Sequence, residues 1–411
     1  MGTALLKKMS AVSVAQNPIS NVSFENEIYE ADIAVDTEVE GLTTIAEEIS
    51  GNVNNISTGF RVADSLTAVV DNTIALADGG QVTEKEAELL RVSVESILRV
   101  AGMDIPVGMV CPSFESSALY SAEVIDKRDN VLTRIMSWLY SAIKAVGDGL
   151  KQWWLKLTTS NKAVLEYTNR VNEKVKKLSG EPSDPEATIN LGGSAIWLTD
   201  RNERIAKPDR QIVETVARFE DFVIEWRKMW GGIIDFPIPE TMTETSAEET
   251  SKKLRTLAAD TVSGTKEVKV DITVGHHIEL KPGSGDVPML SATVKIIPNV
   301  SGNNHIGKVL TLSEMKDGIS TAISSFEVLK KLEKEMDTIE KATKRVANLA
   351  KKVSVKGDEK INETELRQSL KALSKACGFA SWGWTNAVPY YLKTIKSCVR
   401  YIDASANRYS K

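Results

Sequence analysis

Residues 129–158 read DNVLTRIMSWLYSAIKAVGDGLKQWWLKLT. Eight of them, Leu132, Ile135, Leu139, Ile143, Val146, Leu150, Trp153 and Leu157, recur at steps of three and four. On a 3.6-residue helix that spacing makes one unbroken apolar stripe, about seven turns long, which water cannot solvate cheaply. A chain carrying it must supply other helices to cover it, as in a bundle or coiled-coil seam. The stripe therefore predicts a mainly helical protein before any other feature is considered. Trp138 and Trp154 flank it, and the polar side carries Arg134, Lys144, Lys151 and Lys156 against Asp129 and Asp148. After a break near Thr158 the helix is expected to resume through NKAVLEYTNRVNEKVKKL.

A second stripe occupies residues 41–77, with Leu42, Ile45, Ile49, Val53, Ile56, Phe60, Ala63, Leu66, Val70 and Ile74 at the same steps. DGGQ follows as a turn, and Thr83 with Glu86 three residues later matches a capping box that opens a helix ending near Gly102. The two helices predict a helical hairpin. Residues 1–40 show no helical period and are expected to have little fixed structure. IPVGMVCPSFES reads as an exposed connector, and SGEPSDPEA at 179–187 as a linker. Beyond it, TINLGGSAIWLTD predicts strand–turn–strand. Residues 208–230 form a helix with Ile212, Val216, Phe219, Val223, Trp226 and Trp230 on one face, and another covers roughly 244–262. VKVDITVGHHIEL and PMLSATVKIIP alternate as strands. One long charged helix runs from Ser313 to about Val353, and TELRQSLKALSKACGF and NAVPYYLKTIKSCVRYIDAS make two more.

The fold class is thus mainly α (α+β). It comprises an acidic tail (1–40), a helical-hairpin segment (41–110), a connector (111–128) and Trp/Lys amphipathic helices (129–180). A smaller strand-bearing mixed region (181–310) and a C-terminal helical bundle (311–411) complete it. A chain of 411 residues, 42% of them apolar, is long enough to bury such a core.

The net charge of −5 conceals a partition. Residues 9–60 contain no Lys or Arg but nine acids. Residues 1–115 carry 18 acids against 6 bases, a net of −12, which leaves +7 for residues 116–411. Such asymmetry points to an interaction with a polyanion, or simply to a solvated acidic tail.

Catalytic signatures are missing. The chain has no GxSxG, HExxH or Walker A pattern, and LGGS and KPGSGD do not open helices as a phosphate cradle must. Of three histidines, His276 and His277 are adjacent in a predicted strand and point to opposite faces. Cys111, Cys377 and Cys398, an odd set without CxxC, argue against a disulfide framework and a zinc site, with a reducing compartment as the default. No run reaches the ~18 apolar residues of a membrane span, and MGTALLKKMS lacks the apolar core of a secretory signal. No enzyme activity, cofactor or metal is expected.

Three readings of the Trp/Lys helix stay open. These are packing against other helices, binding at a membrane surface, and nonspecific contact with nucleic-acid phosphates. The contact candidates for the last two are Arg134, Trp138, Lys144, Lys151, Trp153, Trp154 and Lys156.

The tripeptide Ser-x-Glu occurs seven times, against about three expected from average usage. Ser113-Phe114-Glu115 and Ser121-Ala122-Glu123 fall in the predicted connector, where an extended backbone suits a protease.

This layout resembles the internal head proteins of giant tailed bacteriophages. The resemblance rests on the acidic hairpin ending in LLRVSVESILRVAGM, the SFES linker, the helix LTRIMSWLYSAIKAVGDGLKQWWLKL and the LGGSAIWL stretch. It is clearest over residues 41–180. It implies a virion structural protein of the capsid interior, trimmed by a phage prohead protease after a small-x-Glu tripeptide. The cut would follow Glu115 (before Ser116) or Glu123, with Glu115 preferred. The implied partners are that protease, capsid or other internal head proteins, and packaged DNA. Ejection into the host cytoplasm is implied too. The alternative is a membrane-active or host-directed effector acting through helix 129–158.

Overall fold

The computed structural model describes residues 21–77, 84–100, 120–200, 202–237, 267–281, 292–300, 305–354 and 363–409, with residues 248–250, 252, 253, 256 and 283. Helices dominate and every described strand is short, as the periodicity predicts.

Helix α1 (Asn21–Ala77) begins twenty residues before its apolar stripe becomes continuous. The expectation that residues 21–40 lack fixed structure is therefore corrected; residues 1–20 lie outside the described set. Ile28, Val35 and Val39 are buried and extend the stripe towards the N-terminus. From Val35 the buried positions run 35, 39, 42, 46, 49, 53, 56, 60 and 63. Alternating steps of four and three average 3.5, the repeat of a supercoiled seam. Helix α2 (Glu84–Val100) packs back on α1 through a face that buries Leu90, Val94 and Leu98.

Helix α3 (Tyr120–Lys176) is continuous through Thr158, where a break is expected. The Thr-Thr-Ser cluster is absorbed because each hydroxyl donates back to a helix carbonyl. Thr158 Oγ1 reaches Trp154 O at 3.2 Å, and Thr159 Oγ1 and Ser160 Oγ reach Lys156 O at 2.8 and 2.9 Å. Leu157, Ser160 and Val164 carry the buried stripe across the site. Both α1 and α3 have 57 residues, so each is roughly 85 Å long at 1.5 Å per residue.

The middle region holds β1 (Thr188–Asn190), a 3₁₀ turn at Gly192–Ser194 and α4 (Ala195–Leu198). The second strand expected in TINLGGSAIWLTD is thus a helical turn. Asn190 Oδ1 accepts from the Gly192 N–H at 3.0 Å, and Gly192 takes φ +50°, which redirects the chain. Helix α5 spans Pro208–Ile234. The expected strand VKVDITVGHHIEL is itself a hairpin of β2 (Val268–Asp271) and β3 (His276–Lys281). With β4 (Thr293–Pro298) it forms an antiparallel sheet in the order β2-β3-β4. β5 (Ile306–Lys308) pairs antiparallel with β1, setting Ile189 opposite Gly307.

The charged helix expected from Ser313 to Val353 is two helices, α6 (Leu312–Ser325) and α7 (Glu327–Ser354). At the junction, Tyr391 Oη donates to the Ser325 carbonyl at 2.7 Å and takes an acceptor from the helical ladder. The last two expected helices are instead one, α8 (Glu363–Ala406), which runs through Pro389. A mid-helix proline costs ~3 kcal/mol. Here Trp384, Ala387, Val388, Tyr391 and Leu392 are all buried around it, and their packing offsets that cost.

Cross-helix contacts fix the directions. Glu27, Glu38 and Gly59 of α1 meet Arg170, Lys156 and Trp138 of α3, so the pair is antiparallel. Asp32, Val53 and Asp64 meet Arg400, Gly378 and Lys371 of α8, again antiparallel. α3 and α8 run side by side, joined where Lys174 Nζ meets Asp403 Oδ1 at 2.6 Å. α1 therefore lies along the groove between α3 and α8. α7 covers α3 from another side, and α5 packs on α8 through a row of buried rings, Phe219, Phe222, Trp226 and Trp230.

Candidate functional site

The predicted site residues divide sharply. Ser113, Phe114, Glu115 and Ser116 lie outside the described residues. Ser121, Ala122 and Glu123 stand in the first turn of α3, not in a connector, because the helix starts at Tyr120. A bond inside a helix must unwind before it fits a protease cleft.

Of the seven contact candidates on α3, Trp153 is fully buried and cannot reach a membrane or nucleic acid in this packing. Its stripe is covered by α1 and α7. Trp138 is half-buried against Gly59 of α1, where a Cβ would come within 2.5 Å of its ring. Trp154 is partly buried against the core. Lys156 Nζ pairs with Glu38 at 2.8 Å, and Lys151 Nζ lies 3.6 Å from Glu340 of α7. Arg134 and Lys144 are exposed. The structure thus brings the acidic front and the basic helix together as two sides of one interface. Among the described residues no helix is long and apolar enough to cross a membrane.

Most of the cations that meet α1 stand on α8 and went unread in the sequence. Arg367, Lys371 and Lys375 recur every four residues and face α1. Arg367 donates to Thr67 Oγ1 at 2.8 Å, Lys371 pairs with Asp64 at 2.6 Å, and Lys375 donates to Ser57 Oγ at 2.7 Å. Further along, Lys396 and Arg400 grip Asp32 and Asp36. Arg400 forks onto Asp32, Nε to Oδ1 at 2.7 Å and Nη2 to Oδ2 at 2.6 Å, and Nη2 also meets Asp36 Oδ2 at 2.7 Å. Lys396 Nζ lies 2.5 Å from Asp36 Oδ1, 3.1 Å from Asp32 Oδ1 and 2.8 Å from the Asp32 carbonyl. The Lys396 side chain is only 4% exposed, and a cation so placed needs these partners. Helical spacing of cations over 367–375 and 393–400 was the available signal.

The electrostatics follow. Burial opposes ionisation of Asp36, but hydrogen bonding and attraction from Lys396 and Arg400 outweigh it and hold its carboxyl below the ordinary value. Burial likewise opposes Glu38, and bonds from Lys156 and Thr159 hold it low. Lys375, whose ammonium donates a hydrogen bond to the Ser57 hydroxyl, is depressed by burial and by Lys371.

The histidines and cysteines lie among packed or hydrogen-bonded neighbours. His276 stacks on Trp197 with ring centres 4.8 Å apart, and burial, with Lys393 and His277 nearby, pushes it down to about 4. His277 Nδ1 bonds Asn299 Oδ1. Cys377 and Cys398 are buried free thiols, the first pushed up to about 12 by burial. Among the described residues no group of three His, Cys, Asp or Glu is placed to hold a metal.

No curated protein and no solved structure matches the chain. The family of phiKZ-like phage internal head proteins matches residues 30–404, a span that starts inside α1 and takes in every later element of the interface. The resemblance drawn from the acidic hairpin and the Trp/Lys helix is thereby borne out, and the chain belongs to the phiKZ-like phage internal head proteins.

Proposed function

We propose that this internal head protein is made as an acidic precursor. The phage prohead protease cuts it between α2 and α3, and the basic remainder shares the capsid interior with packaged DNA. Its role is structural, not catalytic. Its neighbours are capsid or other internal head proteins, and it leaves the head with the genome. The cut follows Glu115, since the competing tripeptide at Ser121 is helical.

One observation carries this reading: the division of charge along the sequence coincides with a physical interface. The acids Glu27, Asp32, Asp36, Glu38 and Asp64 of α1 pair with Arg170, Lys396, Arg400, Lys156 and Lys371 of the rear part. While α1 is in place these cations are neutralised, and a polyanion gains little from approaching them. Loss of residues 1–115 changes the net charge from −5 to +7, which favours association with DNA.

The interface also sets a condition on processing. Thirteen apolar side chains of α1, from Ile28 to Val70, are buried, and the eleven larger than alanine each stabilise by ~1.5–3 kcal/mol. One cut in a connector leaves a nicked molecule with α1 still seated. Release requires the freed arm to be cut again or captured.

Amino-terminal labelling and mass spectrometry of purified particles test this. A new terminus at Ser116, with peptides from 1–110 depleted relative to 130–411, is the expected result. Intact chains, with both regions in equal amount and no new terminus, would refute processing while leaving the family membership untouched.

A further inference from the structure

A cleft of about 480 Å³ opens beside the ion pairs that Asp32 and Asp36 make with α8. One wall is α8, presenting Lys393, Lys396 and Arg400 at helical spacing. The other is the β1–α4 turn with Ser194 and Trp197, and Asp36 of α1 closes one end. Lys393 Nζ sits 5.8 Å from the centre of the Trp197 ring, and both residues line the cleft. Among the described residues, both carboxylates that pair with Lys396 and Arg400 stand on α1.

The arrangement has the chemistry of an anion site with its anion built in. A guanidinium fork onto two oxygens of one group is the geometry arginine uses for phosphate as well as for carboxylate. Lys396 adds a buried point charge shared between two acids, and Lys393 a third cation over an open volume. Leaving Lys396 buried without a counter-ion would be costly, since an unpaired charge in such surroundings destabilises by several kcal/mol. Any state lacking α1 must therefore place another anion there or expose the lysine to water.

We propose that Lys393, Lys396 and Arg400 form a phosphate-binding site, and that Asp32 and Asp36 of α1 stand where phosphodiester groups of packaged DNA sit once α1 has gone. The exchange rests on the processing described above. The site does not: Lys393, Lys396 and Arg400 line the open cleft, so once the two carboxylates are removed a phosphate can reach them from that side with α1 in place, and the site can be tested on the full chain.

The test is binding of a short labelled DNA duplex to wild type, D36N and D32N/D36N across a range of salt. Each phosphate neutralised contributes about 0.9 to the slope of log affinity against log salt. D32N/D36N, which frees two cations, is expected to bind more tightly at low salt with a slope steeper by about two. D36N, altering a carboxylate that is 59% exposed and so safe for folding, should show a change of about one. Adding K396Q and R400Q to D32N/D36N should return the slope to the wild-type value. A folded D32N/D36N or D36N protein that binds DNA no better than wild type, or a gain that survives K396Q/R400Q, overturns the proposal. Pyrophosphate is the second probe. If it raises the melting temperature of D32N/D36N while duplex binding stays at the wild-type level, the site takes small free phosphates and the assignment to DNA fails. Particles that retain α1 would remove the exchange without touching the site.

Discussion

Gly378 of α8 offers a direct measure of how tightly α1 is held. It is buried against Val53 of α1, and a Cβ placed there would lie 2.8 Å from Val53 Cγ1 and 3.3 Å from Cγ2. Ordinary carbon contacts fall at ~3.5–4.0 Å, so the gap is short by roughly 1 Å. Val53 cannot turn aside, because a β-branched side chain in a helix is confined to one rotamer. Gly378→Ala must then push the helices apart or strain the valine, at ~1–3 kcal/mol for overpacking. Replacing a helical glycine by alanine returns up to ~1 kcal/mol, so the net loss is about 0–2 kcal/mol. Val53→Ala removes two methyl groups worth ~0.8 kcal/mol each and leaves a small cavity, about 2 kcal/mol in all. In V53A/G378A the new methyl occupies the vacated space, and the double variant should lose ~1–2 kcal/mol less than the sum of the singles. Gly51→Ala supplies the reference. Gly51 is exposed on α1, the helix of Val53, with nothing within 4 Å of a Cβ, and the change should stabilise by about 1 kcal/mol. Urea unfolding followed by circular dichroism, with hydrogen exchange on α1 and α8, reads all four. Additive singles, or a Gly378→Ala gain equal to that of Gly51→Ala, would show that α1 does not dock on α8 as described.

Two further outcomes are expected. His276 is held at about 4 against an ordinary 6.5, so the unfolded chain takes up the proton first. The stability it contributes is complete above pH 6.5 and is lost as pH falls towards 4, up to about 3 kcal/mol at ~1.4 kcal/mol per pH unit. An imidazole titration by NMR with a midpoint near 6.5 would contradict the stacked, buried placement. Cys377 and Cys398, buried with thiols pushed upward, should resist a thiol reagent at pH 8 and react only on unfolding. Rapid labelling of either in the native protein would place α8 elsewhere.

How much of this was legible depends on where each signal resides. The stripe from Leu132 to Leu157 announced a covered helix, and Trp153 is fully buried as that stripe demands. The start of α1 was hidden because the heptad position between Ile28 and Val35 is Asp32. An acid breaks the apolar period, and its place in the seam depends on Lys396 and Arg400, more than 360 residues away. The division of α6 from α7 is hidden for the same kind of reason, since it turns on Tyr391 reaching the Ser325 carbonyl. Pro389 misleads in the other direction. Its local cost is real, and only burial on both sides keeps α8 whole.

The amino-acid order alone thus determined that long helices must pair, that charge is split between front and rear, and that catalytic motifs are missing. These are properties of spacing and composition, which need no partner to be read. Which helix covers which, and that the acids of one end neutralise the cations of the other, only the tertiary structure decided. An ion pair between Asp32 and Arg400 has no local signature, because its energy arises when two distant segments desolvate each other's charges in one groove.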